Sequence, residues 1–99
     1  MNEYRAIARS IADELREHPE FWTQGTYARN SLGVITGLHD GDAVCWCLKA
    51  HFIKRGGYYG DFHDEVERIT GKGPASFNDD PGRTVQDIID LCEKVATHE

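Results

Sequence analysis

Two of the three cysteines and three of the five histidines fall in one short window: His39, Cys45, Cys47, His51 and His63. Residues of these types do two kinds of chemistry, metal binding and nucleophilic catalysis. A structural zinc site takes about four converging nitrogen and sulfur ligands. Cys45 and Cys47 are two positions apart, so on a helix their side chains project about 200° from one another and cannot share an ion. No Cys-x-x-Cys or His-x-x-x-His pair is present. His51 follows Cys47 by four, which places both on one helical face but supplies two ligands only. For a nucleophile, Cys45 would sit in the first turn of a helix, where the dipole favours a thiolate. His39 or His63 would be the base. The apolar run around these thiols instead favours dry, inert cysteines used as small hydrophobic residues. The expectation is therefore no metal and no cofactor. A thiol- or metal-dependent enzyme using Cys45 or Cys47 with His51 or His63 is the alternative.

Paired carboxylates give weaker signals. Asp40 with Asp42, and Asp79 with Asp80, each precede a predicted helix, where acids stabilise the N-terminus without doing chemistry. Glycine-rich phosphate loops of either common kind are absent. The stretch Phe77–Asn78–Asp79–Asp80–Pro81–Gly82–Arg83–Thr84 is the most distinctive polar run. Asn78 and Asp79 can tie a turn to its own backbone, and Arg83 can pin the loop to the central helix through an acid. These three are also candidate recognition residues. A second candidate surface is acidic: Asp61, Asp64, Glu65 and Glu67 on a helix beside the Tyr58–Tyr59 corner, since tyrosines beside charges make interface anchors.

The elements that would position these residues follow from periodicity. Tyr4, Ile7, Ala8, Ile11, Ala12 and Leu15 form one stripe of a helix over 2–17, with Asn2 as N-cap and Pro19 as its stop. Phe21 and Trp22 should insert into the core at that helix end. The runs 26–29 and 33–36, with Asn30–Ser31–Leu32–Gly33 between them, predict a two-stranded hairpin. Asp42 is placed to cap a central helix over 43–55, nearly apolar all round and so buried, which Gly56–Gly57 ends. A third helix over 61–70 opens at Asp61. Residues 75–83 read as a loop. Thr84 and Asp87 form a short capping box for the last helix, whose stripe is Val85, Ile88, Ile89, Cys92, Val95 and Ala96.

With 99 residues, the chain is long enough for one domain (1–99) with one core. The fold class expected is α+β, mainly α, with four helices packed around a buried central helix and a small β-hairpin. The net charge of −6 argues against direct nucleic-acid binding through a basic face and favours a basic protein partner. No stretch approaches the roughly 20 apolar residues that span a membrane, and the N-terminus has no signal-peptide character. The default compartment is the cytoplasm of a bacterial host cell.

Three segments carry a resemblance. Trp22–Thr23–Gln24–Gly25 followed by Ala28–Arg29–Asn30, then Ala43–Val44–Cys45–Trp46–Cys47, then Phe77–Asn78–Asp79 with Pro81–Gly82–Arg83–Thr84, resemble the DUF6197-like group of small proteins of unknown function. The resemblance spans residues 4–97. The chain departs from the group's pattern at Ala50–His51–Phe52, where Gly-Ala-Leu is usual, and at Phe77, where Trp is usual. The resemblance implies a compact helical domain, often encoded by phages or their bacterial hosts; the group has no established activity, so no catalytic role carries over. The function expected is a small acidic protein–protein binding module. Antagonism of a host defence system, for example inhibition of a CRISPR effector, suits its size and charge.

Overall fold

The computed structural model describes residues 3–97; the N-cap assigned to Asn2 lies outside them. Helix α1 runs Glu3–Glu17 and α5 runs Val85–Thr97. Their apolar stripes face each other: Ala8, Ile11, Ala12 and Leu15 bury against Ile88, Ile89, Cys92 and Val95. Arg9 and Arg16 of α1 both pair with Glu93 of α5 across the polar edge of this contact. The capping box at α5 closes both ways. Thr84 Oγ1 accepts the Asp87 N–H at 3.2 Å, and Asp87 Oδ2 accepts the Thr84 N–H at 3.1 Å.

A single 3-10 turn, Pro19–Phe21, reverses the chain after α1. A three-stranded antiparallel sheet follows, from β1 (Ala28–Asn30), β2 (Ile35–Thr36) and β3 (Ala43–Trp46), in the order β2-β1-β3. The turn between β1 and β2 forms as its residues suggest. Asn30 Oδ1 accepts the N–H groups of Leu32 and Val34, and Gly33 takes φ +80°. Ala28 stands opposite both Thr36 and Trp46. A bulge next to Asn30, which pairs with Ala43, leaves Val44 as the extra residue.

The third strand corrects the expected central helix. Residues 43–46 pair with β1 instead of coiling, so Asp42 caps nothing; its N–H bonds Asp40 Oδ1 in the preceding turn. A short apolar run fits a buried strand as well as a buried helix, and a hairpin of so few pairs is marginal without a third strand. The central helix, α2, is only Leu48–Ile53, with Cys47 as its N-cap residue. Its burial is as expected: Leu48, Ala50, His51 and Phe52 are buried. Gly56 follows at φ +84°. Gly57 passes so close to α1 that a Cβ there would lie 2.2 Å from Ile7 Cδ1.

Helix α3 spans Tyr59–Thr70, starting two residues before the expected 61, and ends at Gly71 with φ +81°. It buries Phe62, stacked on Phe52 at 4.3 Å between ring centroids, and Val66. A further helix, α4 (Pro74–Asp79), stands where a loop was expected. Gly73–Pro74 opens it, because proline is well suited to the first helical position. The result is α+β and mainly helical; α1 packs chiefly on α5, and α2 lies against α1 and α4. Among the described residues, no helix is long and apolar enough to cross a membrane.

Candidate functional site

Trp22 and Thr23 of the first resembling segment, Asp79 of the last and Leu48, just after the middle one, meet at one side chain, Asn78. It is fully buried, and its amide is used completely. Oδ1 accepts the Trp22 indole N–H at 2.6 Å and the Leu48 N–H at 3.0 Å. Nδ2 donates to Thr23 O at 3.1 Å and to Asp79 Oδ1 at 2.9 Å. Gln24 Nε2 donates to the carbonyls of Asn78 and Asp80, at 2.8 and 3.0 Å. A buried amide in this state ties the 22–25 segment, the start of α2 and α4 together. Asn78 therefore organises a site rather than contacting a ligand.

Beside this network lies a cavity of about 330 Å³, lined by Gly25, Thr26, Tyr27, Cys47, Ala75 and Asp79. Local pairing sets its walls. The Cys47 N–H donates to Tyr27 O at 3.1 Å, carrying the β1–β3 pairing one step further and bringing the start of α2 against the 25–27 turn. The Cys47 Sγ accepts the Ala50 N–H at 3.4 Å, as a serine oxygen would at an N-cap. Burial pushes the Cys47 thiol above its ordinary range; the neighbouring backbone N–H groups oppose this and the Asp79 charge adds to it. The thiol is thus protonated at neutral pH. Lys49 Nζ stands 5.7 Å from the Tyr27 ring centroid and 5.1 Å from that of Tyr59.

The remaining loop residues fold onto the structure. Arg83 Nε donates to Phe77 O at 2.8 Å, its guanidinium lies 3.6 Å from the Phe77 centroid, and it pairs with Asp80 at 2.8 Å. It pins α4 to the start of α5, not to the central helix.

The acidic surface separates into exposed and engaged members. Asp61, Asp64 and Glu67 are exposed, and Glu65 pairs with Arg68 at 2.6 Å. Tyr58 is 72% exposed, whereas Tyr59 is half-buried against Phe52, Phe62 and His63. Burial pushes the Tyr59 hydroxyl up to about 12. Next to Tyr58 is a recess of about 110 Å³ lined by Glu3, Tyr4, Tyr58 and Asp61.

Among the described residues no cysteine hydrogen-bonds a histidine. Cys45 lies in a strand, its Sγ 3.9 Å from Arg29 O, and not in the first turn of a helix. His51 is fully buried. Its Nε2 is 2.9 Å from Phe21 O, an acceptor, so that nitrogen carries the proton. Its Nδ1 then accepts from Arg55 at 3.3 Å, and Arg55 in turn pairs with Glu14 at 2.7 Å. Burial depresses His51 to about 4, with the Arg55 and Lys54 charges adding to the effect against the Phe21 hydrogen bond and Glu14. Burial raises Glu14, but the hydrogen bond and charge of Arg55 outweigh it and hold Glu14 below its usual value. His63 keeps different company. Its ligand atoms and those of Asp64 and Glu67 lie within 4.8 Å of one another on the solvated face of α3.

Sequence reasoning did not single out Gly25, Thr26, Tyr27 and Ala75 as cavity walls, nor Glu3 and Tyr4 beside Tyr58. Each is ordinary in its own segment, and only Gly25 lay inside a motif. It also missed the exposed apolar hairpin residues Leu32, Val34 and Ile35.

No curated protein and no solved structure matches the chain. Residues 2–98 match a family of unknown function, DUF6197, and the chain belongs to that family.

Proposed function

We propose that the protein is a binding module that works by protein–protein contact, taking a basic partner on the acidic face of α3. The observation that carries this reading is the recess of Glu3, Tyr4, Tyr58 and Asp61. Two carboxylates beside two phenol rings suit a lysine or arginine side chain, through charge and the aromatic face together. Asp64 and Glu67 extend the negative surface along the helix, and neither they nor Asp61 pair with a Lys or Arg among the described residues. The net charge of −6 would speed encounter with a basic surface. Antagonism of a host defence protein by a phage or mobile-element product is a role of this kind, and a basic effector surface would be its target.

Titration of the isotope-labelled protein with short arginine- and lysine-rich peptides, read by amide chemical shifts, tests the site. Saturable shifts at residues 3–4 and 58–67, lost in Tyr58→Ala with Asp61→Lys and weakened by salt, are the expected result. Shifts confined to other surfaces, or none, would overturn the assignment to α3.

A further inference from the structure

The Asp79 side chain is exposed, yet its carboxylate is oriented. Its Oδ1 is held by two neutral donors, the Gly25 N–H and Asn78 Nδ2, both at 2.9 Å. No Lys, Arg or His forms an ion pair with it among the described residues; its neighbour Asp80 takes both Lys72 and Arg83. It stands at the C-terminal end of α4, where the helix dipole disfavours an anion. Helix stability therefore gives no reason for an acid there. The same carboxylate lines the cavity of about 330 Å³ between the 25–27 turn, Cys47 and α4.

The other walls complete a recognisable chemistry. Tyr27 is a large aromatic left 46% exposed. Ala75 is small and exposed, and the Cys47 thiol is protonated and apolar in character. Lys49 stands between Tyr27 and Tyr59, so these rings already accept an ammonium nearby, yet Lys49 does not reach Asp79. An apolar pocket with one oriented carboxylate and a half-exposed aromatic ring that already tolerates an ammonium suits a cation on an aliphatic stem.

We propose that this cavity binds a primary ammonium or guanidinium group on a short aliphatic chain, with Asp79 as its anchor and Tyr27 as its wall. The group comes either from a free alkylamine or alkylguanidine, or from a lysine or arginine side chain of a partner. The inference does not rest on the α3 reading, because the cavity and the Tyr58 recess share no residue.

The test is an amide-shift titration of the whole chain with n-butylamine, n-butylguanidine and n-butanol, and with a lysine-containing peptide and its acetyl-lysine counterpart. Saturable shifts are expected at residues 25–27, 47 and 75–79 with the amine and guanidine, and none with butanol. Asp79→Asn keeps an acceptor for the Gly25 N–H and should weaken binding tenfold or more. Ala75→Leu fills the cavity from an exposed position, with Asp79 intact, and should do the same; it also serves if Asp79→Asn does not fold. Tighter binding of the peptide than of butylamine, lost on acetylation, assigns the partner side chain; the reverse order assigns the free amine. Absence of saturable shifts at these residues for every cation up to concentrations on the order of 10 mM, weak even for ligands of this size, overturns the proposal. So does unchanged binding in both variants. Shifts at Glu3, Tyr4, Tyr58 and Asp61 report separately on the α3 recess.

Discussion

Asn78 caps a helix to which it does not belong: its Oδ1 accepts the N–H of Leu48, the first residue of α2, at 3.0 Å. That N–H is one of the orphan donors every helix leaves at its start. Here a residue thirty positions away in α4 supplies the acceptor. Replacing Asn78 with Ala leaves the buried Leu48 N–H and the partly buried Trp22 indole N–H and Thr23 carbonyl without this partner. Each unsatisfied group costs about 1–3 kcal/mol, so Asn78→Ala should destabilise the fold by about 3–5 kcal/mol. Urea denaturation checks this, and a loss below about 1 kcal/mol would mean that water replaces the amide.

His51 makes stability depend on pH in a defined window. Its folded value, about 4, lies below the ordinary 6.5 of the unfolded chain. Between those values the unfolded state binds the proton and the folded state does not. Stability therefore holds above pH 6.5 and falls as the pH drops towards 4. The full effect is about 3 kcal/mol. Glu14, also held below its usual value, adds a loss only at lower pH. Unfolding midpoints at pH 7 and pH 4.5 should differ in this sense, and His51→Gln should flatten the difference.

What was legible in the sequence was what is local. The stripes of α1 and α5 and the Thr84–Asp87 box depend on spacing within one helix, and they formed as read. The solvated positions of Asp61, Asp64 and Glu67 on α3 were legible for the same reason. Ala43–Trp46 was not, because four apolar residues look alike in a strand and a buried helix. The partner that decides between them, β1, lies some fifteen residues upstream. Helix α4 was missed because a glycine–proline pair suits a turn as well as a helix start. The cavity was the least legible feature, since its walls come from three segments joined by the Asn78 amide, and no pattern within any one of them announces it.

Gly57 should be intolerant of a side chain for a reason its backbone does not show. Its φ is not left-handed; the obstacle is space, with Ile7 Cδ1 at 2.2 Å and the Phe52 ring at 3.1 Å from an added Cβ. Gly57→Ala should cost about 1–3 kcal/mol as overpacking. Ile7 can give way, because its contact is the end of a side chain. In the Ile7→Val background, which removes Cδ1, the Gly57→Ala penalty should shrink by at least about 0.5 kcal/mol. Thermal melts of the four variants of the cycle measure this coupling; strict additivity would place the strain elsewhere.

The three thiols should react in an order set by burial. Cys92 is fully buried, which pushes its thiol up to about 12. Cys47 is buried, raised, and held by the Ala50 N–H. Cys45 is half-buried in a strand of the sheet. A thiol reagent must meet a thiolate that it can reach. Native protein should therefore label first at Cys45, while Cys47 and Cys92 label at rates that rise with urea as the fold opens. Mass spectrometry of digested, time-quenched samples gives the three rates. Fast labelling of Cys47 at pH 6 in native protein would contradict the closed N-cap and restore a nucleophilic role for the cavity's thiol.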